Sequence, residues 1–426
     1  MQPLVILLLG GRSTRFWPLG EKPLLRFCGK TLFEHQVALL TQAGLTEFLV
    51  IGQKDNLPAL RQIKFPKKIK MTFGEQKRLE MGMAGALLDN ARAWQNRELL
   101  LVSGNDVIEV SGLKKLLKEA QKKTNAGAIL AQKVTQYFPG GYLKLKNGNL
   151  TEIIEKPGAG KEPSDLINLV FHYHRDGSAL LRELQKAQST QDDLYEVALT
   201  ALAKQKPYAV VEYTGFWQAL KYPWHALKLN QFFLRQNKTK IHKSAQIAKS
   251  AVLKGTGIVI EKGVRVFEHA TLVGPVFLGE NSVVGNNALV RESGLEANSV
   301  VGYNTEVARS LWQPNCQTHI NYCGDSVWSE GVSLGAGAIT ANYRLDQGEI
   351  SSLIKNEKTA TQTTKFGCVI GAKTRLGVGV TLAPGIKIGK NCLVGSHLLV
   401  SEDLGDNLFL YNKQTVQKIV PNRSQN

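Results

Sequence analysis

The sequence predicts an α/β domain over roughly its first half and, after it, a domain of parallel β-strands repeating every six residues. Two observations carry this reading. Up to about residue 232, short apolar runs alternate with amphipathic helical stretches, as strands and helices do over a largely parallel sheet. Beyond residue 240, aliphatic side chains recur at Ile260, Val266, Leu272, Leu278, Val284 and Val290, a period of six that no helix produces. The length of 426 residues suits two to three domains, and 43% hydrophobic with 21% charged residues is the composition of a globular protein.

The elements follow in order. VILLL reads as a strand and runs into a glycine loop. TLFEHQVALLTQAG has a Thr start, helical apolar spacing and a glycine stop, which predicts an amphipathic helix. FLVIG and ELLLVSG are further strands, and VSGLKKLLKEAQKK, DDLYEVALTALAKQ and YPWHALKLNQFFLRQ further helices. The polar QNKTK that follows predicts a first domain over 1–232, a linker over 233–240, a repeat domain over 241–404 and a tail over 405–426. Within the repeat, Leu295, Val301 and Val307 resume the period after a one-residue slip, and a second array runs Ile370, Leu376, Leu382, Ile388, Val394, Val400. Glycine follows the aliphatic at Gly279, Gly285, Gly302, Gly371, Gly377, Gly389 and Gly395, which predicts a tight corner after each inward side chain.

Several classes are set aside by composition. No apolar run approaches the ~20 residues that span a bilayer, and the start VILLLGG is too short and lacks the positive flank of a signal peptide. A cytoplasmic protein without membrane contact is expected. Cys28, Cys316, Cys323, Cys368 and Cys392 show no C-x-x-C spacing, so free thiols are expected rather than disulfides or zinc. The formal charge is +18, with 35 Lys and Arg against 21 Asp and Glu in residues 1–240, and 18 against 14 in the remainder. No aromatic-interleaved basic motif or recognition helix accompanies this excess, so a site for several phosphates, or simply a soluble basic surface, explains it equally well, and nucleic acid is not the expected partner.

The six-residue period resembles the hexapeptide repeat of left-handed parallel β-helices, in which three hexads make one coil of a triangular prism. In the first half, LLLGGRSTRFWPLGEKPLLRFCGK follows a strand and precedes a helix, and resembles the signature loop of the sugar-1-phosphate nucleotidyltransferases. That resemblance implies a Rossmann-like nucleotidyltransferase domain. Gly10 and Gly11 would let backbone amides approach a triphosphate, Arg15 would fork onto its oxygens, and Lys22 would bring a point charge to the sugar phosphate. Ser13 stands where the family usually has glycine. QKRLEMGMAGALLDN resembles the base-reading segment and implies Gln76 and Gly82 as nucleotide-binding residues. Asn105-Asp106 resembles the family's G-D at a strand end, which makes Asp106 the magnesium ligand. GYLKLKNGNLTEIIEKP and LINLVFHYH resemble the sugar pocket and imply Gly141, Glu155, Lys156 and Asn168. At GFWQALKYPW the chain departs from the pattern: Ala219 stands where the family carries the second, acidic or Asn, magnesium ligand.

Between the two arrays, QTHINYCGDSVWSEGVSLGAGAITANYR resembles the acetyltransferase portion of the bifunctional N-acetylglucosamine-1-phosphate uridylyltransferase/glucosamine-1-phosphate acetyltransferases, and KFGCVIGAKTRLGVGVTLAPGIKIG their archaeal-type relatives. The resemblance implies His319 as general base, Tyr322 and Asn342 as sugar-binding residues, acetyl-CoA as co-substrate and a homotrimer. Ser333 and Ala372 depart from the bacterial pattern. The reading is nucleotidyl transfer from a nucleoside triphosphate to a sugar 1-phosphate, with Mg2+, joined to N-acetylation of a hexosamine 1-phosphate. A single-function enzyme, and a non-catalytic nucleotide-exchange or regulatory subunit with the same domain pair, remain as alternatives.

Overall fold

In the computed structural model, residues 2–11 and 13–412 are described; Arg12 and the end of the expected tail lie outside them. Two compact units result, one of residues 1–14, 21–26 and 30–221, the other of residues 15–20, 27–29 and 222–426. The division falls earlier than the expected end at 232, so the helix His225–Arg235 groups with the repeat unit.

The first unit is built on β1 (Leu4–Leu8), whose five residues are all buried. Such a continuous apolar run suits a strand covered on both faces, and β1 pairs in parallel with β2 (Glu47–Gly52) and β4 (Leu99–Ser103). Between them α1 (Leu32–Gln42) starts at Thr31, whose hydroxyl accepts from the Glu34 amide at 3.2 Å while Glu34 accepts from the Thr31 amide at 2.7 Å. Then follow α2 (Leu57–Gln62), β3 (Lys70–Glu75) and α3 (Gly82–Asp89), and after β4 come β5 (Asp106–Ile108) and α4 (Val110–Ala120). The remaining elements are β6 (Gly127–Lys133), β7 (Gly141–Lys146), β8 (Asn149–Glu155), β9 (Leu166–His174), α5 (Gly177–Lys186), α6 (Leu194–Gln205), β10 (Tyr208–Glu212) and β11 (Trp217–Ala219).

The main sheet has nine strands in the order β3-β2-β1-β4-β9-β6-β10-β8-β7, and β5 pairs separately with β11. It is parallel from β3 to β4, but β9 runs antiparallel to both of its neighbours. Along β9, Ile167, Leu169, Phe171 and Tyr173 pack into the core on one face. The alternation of a strand sends Asn168, His172 and His174 to the other, where α6 lies with Tyr195 and Leu199.

The second unit stacks its strands in parallel. One eight-stranded sheet steps from Lys240–Ile241 through Ile258–Ile260, Val276–Leu278, Gly294–Leu295, Leu311–Trp312 and Val327–Trp328 to Val369–Ile370 and Lys387–Ile388. A second, also of eight strands, steps from Val252–Lys254 to Leu399–Val400, and a third face consists of two four-stranded sheets bridged at Gln317. This is the architecture of the left-handed parallel β-helix. The expected aliphatics of both arrays form one buried core.

Two details differ from expectation. The glycines that follow the aliphatics do not take left-handed backbone; that role falls to Asn281, Asn287, Asn298, Asn304, Asn391 and Asn407. The glycines are needed because successive coils stack backbone on backbone: a Cβ on Gly279 would lie 2.5 Å from the Ala297 nitrogen, and one on Gly371 the same distance from the Gly389 carbonyl carbon. Between the arrays the prism continues with Trp312, Cys323, Trp328 and Thr340 facing inward, the two indoles stacked at 4.2 Å. The chain then leaves it for an antiparallel hairpin, Ser351–Ile354 with Glu357–Ala360, turned by Lys355-Asn356, both in left-handed backbone. The strand Phe409–Leu410 pairs with Leu393–Val394, so the repeat runs beyond 404. All five cysteines are free thiols, and burial pushes those of Cys316 and Cys368 up to about 12.

Candidate functional site

In the first unit the nucleotide-binding candidates meet. A Cβ on Gly10 would lie 2.0 Å from Gln76 Oε1, so only glycine lets that buried amide lie against the loop, and Gln76 Nε2 in turn donates to the Gly82 carbonyl at 2.7 Å. The loop is held from below, because Gln53 donates to the Gly11 carbonyl at 2.8 Å and the fully buried Asn56 donates to the Leu9 carbonyl at 3.0 Å. Gly11 and Ser13 both take left-handed backbone, with φ of 110° and 46°. A glycine in the place of Ser13 would therefore avoid a conformational penalty that serine bears.

Lys22 opens a short 3-10 helix and is buried rather than exposed. Arg15 belongs to the second unit, where its guanidinium lies 5.9 Å from the centroid of the Tyr222 ring.

Asp106 begins β5. Its Oδ1 accepts from Trp217 Nε1 at 2.9 Å, and its carbonyl from Gln36 Nε2 at 2.6 Å. Burial raises its carboxyl above the ordinary range, against the pull of the Trp217 and Ser103 hydrogen bonds and the charges of Lys221 and Lys22. The β5–β11 register makes Ala219 the cross-strand partner of Asp106. Directly paired residues on one face have Cβ atoms about 5 Å apart, so a carboxylate at 219 would sit where one ion could touch both. Ala219 offers a methyl group instead. Among the described residues no cluster of three or more His, Cys, Asp or Glu side chains forms a metal cage. The donor set fits a magnesium ion brought in with nucleotide phosphates, since magnesium keeps its waters readily and needs only one or two protein carboxylates.

Sequence reasoning missed Lys221. Its ammonium donates to the Pro139 carbonyl at 2.6 Å and lies 3.8 Å from the Phe138 ring centroid, which holds the charge beside Gly140.

The sugar candidates also converge. A Cβ on Gly141 would lie 3.1 Å from Glu155 Oε2 and 3.4 Å from the Asn168 Cβ. Lys156 is paired to Glu155 at 3.0 Å. Behind them lies Glu196 of α6, a second residue that the sequence did not single out; burial, and after it the negative charge of Glu155, push its carboxyl up to about 8. It is therefore protonated at neutral pH.

In the second unit, Tyr322 and Asn342 are joined: Asn342 Nδ2 donates to the Tyr322 hydroxyl at 3.1 Å. Gly324 makes room for the pair, since a Cβ there would lie 2.6 Å from both atoms. The same amide reaches Asp325, which holds Arg309 through two bonds of 2.6 Å. Asp325 was visible in the G-D of the motif and Arg309 carried no signal. His319 is exposed at a corner, its backbone fixed by Asn321 at 2.7 Å and by the Thr305 hydroxyl at 2.8 Å. Ser333 lies in a prism strand paired with Arg375, and Ala372 follows the closely stacked Gly371.

Comparison with known proteins agrees with this geometry. The family model for nucleotidyl transferases matches residues 4–220. The chain is 28% identical over 414 residues to the bifunctional protein GlmU of Methanocaldococcus jannaschii, covering 96% of this chain and 97% of that one. It is 29% identical over 407 residues to the bifunctional sugar-1-phosphate nucleotidylyltransferase/acetyltransferase of Sulfurisphaera tokodaii, covering 94% and 97%. The crystal structure of an apo UDP-glucose pyrophosphorylase matches with a TM-score of 0.50 at 16% identity over 55% of this chain and 99% of that one, which shows a shared fold for the first half. With the family model matched over residues 4–220, the chain belongs to the nucleotidyl transferase family, here joined to a hexapeptide-repeat β-helix.

Proposed function

We propose that the protein transfers a nucleotidyl group from a nucleoside triphosphate to a sugar 1-phosphate, and that its repeat domain acetylates a hexosamine 1-phosphate with acetyl-CoA. The observation that carries the first part is the meeting of Gly10, Gln76 and Gly82 in the same unit as the Gly141, Glu155 and Asn168 cluster. A phosphate oxygen of the sugar 1-phosphate attacks the α-phosphorus, a new P–O bond forms, and the bond to the β-phosphate breaks to release pyrophosphate. No covalent enzyme intermediate is needed, so the protein's work is to align two anions and balance their charge. Gly10 and Gly11 admit the triphosphate, Lys22 brings its charge to the attacking sugar phosphate, and Gln76 reads the base; by the family's motif, Arg15 would fork onto the triphosphate oxygens. Bound magnesium would neutralise charge on the phosphates, with Asp106 as its protein ligand. Gly141, Glu155, Lys156 and Asn168 hold the sugar.

In the repeat domain the amine of the sugar attacks the thioester carbonyl of acetyl-CoA; the N–C bond forms, the C–S bond breaks, and His319 takes the amine proton that ends on the CoA thiol. Tyr322 and Asn342 position the sugar. The names of relatives matched across nearly the whole chain support the pairing of activities. We also infer a homotrimer, because apolar Ile320, Ile339 and Leu399 stay exposed on the prism, and closed cyclic packing would cover them. Among the described residues no helix is long and apolar enough to cross a membrane.

The test measures pyrophosphate release across a matrix of nucleoside triphosphates and sugar 1-phosphates with magnesium, together with thiol release from acetyl-CoA and native mass. Absence of pyrophosphate release from every pair would refute the first activity. Ala219 opposite Asp106 favours one second reading, an enzyme whose nucleotidyl site is weakened while acetyl transfer persists.

A further inference from the structure

From the half-buried Asn168 an unbroken chain of hydrogen bonds runs into the core. Asn168 Oδ1 faces His172 Nε2 at 2.7 Å; His172 Nδ1 faces the Tyr195 hydroxyl at 2.6 Å; that hydroxyl meets His174 Nε2 at 3.0 Å; and His174 Nδ1 meets the Tyr208 hydroxyl at 2.9 Å. His172 and His174 are fully buried, and Tyr195 and Tyr208 nearly so. The groups come from β9, α6 and β10, so no single segment of sequence contains them.

Proton counting gives the chain a direction. An amide oxygen only accepts, so His172 carries its proton on Nε2 and its Nδ1 accepts from Tyr195. The Tyr195 oxygen then accepts from His174 Nε2, and His174 Nδ1 accepts from Tyr208. Each link holds one proton, which requires both imidazoles to be neutral. Burial supplies that condition, lowering His174 to about 3 and holding His172 well below its ordinary value, the latter with help from His174. A link with two protons or none would leave a buried polar group unpaired, at a cost of about 1–3 kcal/mol.

We propose that His172, Tyr195, His174 and Tyr208 are positioning residues that lock the amide of Asn168 in one orientation, with its NH2 turned to the sugar pocket. This rests on the reading of Gly141, Glu155 and Asn168 as that pocket, and it deepens it. An amide held this way offers only donors. It reads an oxygen lone pair, a hydroxyl or an acyl carbonyl, and it refuses an ammonium, which has no lone pair to give. A sugar phosphate with a free protonated amine at that point would have to flip the amide and reverse every proton in the chain.

The experiment compares wild type with Tyr195→Phe, Tyr208→Phe and Asn168→Ala, using pyrophosphate release from UTP and dTTP with glucose 1-phosphate and with glucosamine 1-phosphate. Tyr195→Phe cuts the chain in the middle. It should raise the KM for glucose 1-phosphate by about tenfold while kcat stays within twofold, and narrow the preference over glucosamine 1-phosphate by a similar factor, about 1.4 kcal/mol. Tyr208→Phe removes the last donor only and should do the same to a lesser degree. Nitrogen-15 spectra of the histidine side chains, which require no turnover, should show His172 and His174 as neutral Nε2–H tautomers at pH 7, and loss of that fixed tautomer at His172 in Tyr195→Phe. An Asn168→Ala protein with unaltered sugar KM would remove the pocket assignment itself. A raised KM in Asn168→Ala with no change in either tyrosine variant, or a Nδ1–H tautomer at His172, would overturn the lock.

Discussion

The two halves solve the placement of functional groups in opposite ways. In the repeat half, Tyr322, Gly324, Asp325 and Asn342 stand on neighbouring coils, and the candidate site is a local decoration of a regular prism. In the α/β half, Gly10 meets Gln76 and Gly141 meets Asn168, and Asp106 meets Trp217, although each pair is far apart along the chain and is joined only because the strands order themselves as they do. The difference teaches where each half is vulnerable. At the candidate prism site the buried Asp325 is paired to Arg309, whereas the α/β half buries Lys22 and Glu196 and half-buries Asp106, and the carboxyl of Glu196, raised by burial and the charge of Glu155, carries a cost linked to folding.

The sharpest test of the separation is a crossed pair of variants. His319→Ala should lower acetyl transfer by at least ~100-fold and leave pyrophosphate release within twofold. Lys22→Ala and Arg15→Ala should each lower pyrophosphate release by at least ~100-fold, through lost charge stabilisation, and spare thiol release. Loss of both activities in any single variant would mean that the two sites are not independent.

Next in size is the metal site. Ala219→Asp places a second carboxylate across from Asp106 and should lower the magnesium concentration at half-maximal rate by roughly tenfold. An unchanged magnesium curve would show that the ion does not lie between these strands.

The stability contrast is carried by Glu196. Its folded-state pKa of about 8 lies above the ordinary 4.5. As pH rises through that window the unfolded chain has already released the proton and the folded one has not, so stability falls between about 4.5 and 8 and levels off above. Glu196→Gln removes this loss: the melting temperature should exceed that of wild type at pH 8.5, by on the order of a few kcal/mol of stability, with a much smaller difference at pH 5. Equal differences at the two pH values would contradict the assignment. Smallest is Ser13→Gly, which should relieve left-handed backbone and stabilise the protein by about 0.5–1 kcal/mol, read as a small rise in melting temperature.

Much of this was legible in the sequence. A period of six and strand-helix alternation depend only on which side chains must leave water, and the loop that carries the family resemblance is one contiguous stretch of chain. The interior of the prism between Val307 and Ile370 was not legible, because Trp312, Cys323, Trp328 and Thr340 break the aliphatic rule, and a space that admits two stacked indoles is set by the coils above and below. The glycines were visible but their reason was not, since contact between coils is invisible to any one repeat.

By itself the sequence determined the two architectures and the nucleotidyl transferase motif, and it puts an alanine, with no side chain to hold a metal, at position 219. Only the tertiary structure decided that Ala219 faces Asp106, that Lys221 stands beside Gly140, that Lys22 is buried, and that β9, α6 and β10 join two histidines and two tyrosines behind Asn168. The physical reason is range: burial and backbone periodicity are written in neighbours along the chain, whereas cross-strand register, desolvation and the direction of a hydrogen bond depend on partners that the chain brings near only by folding.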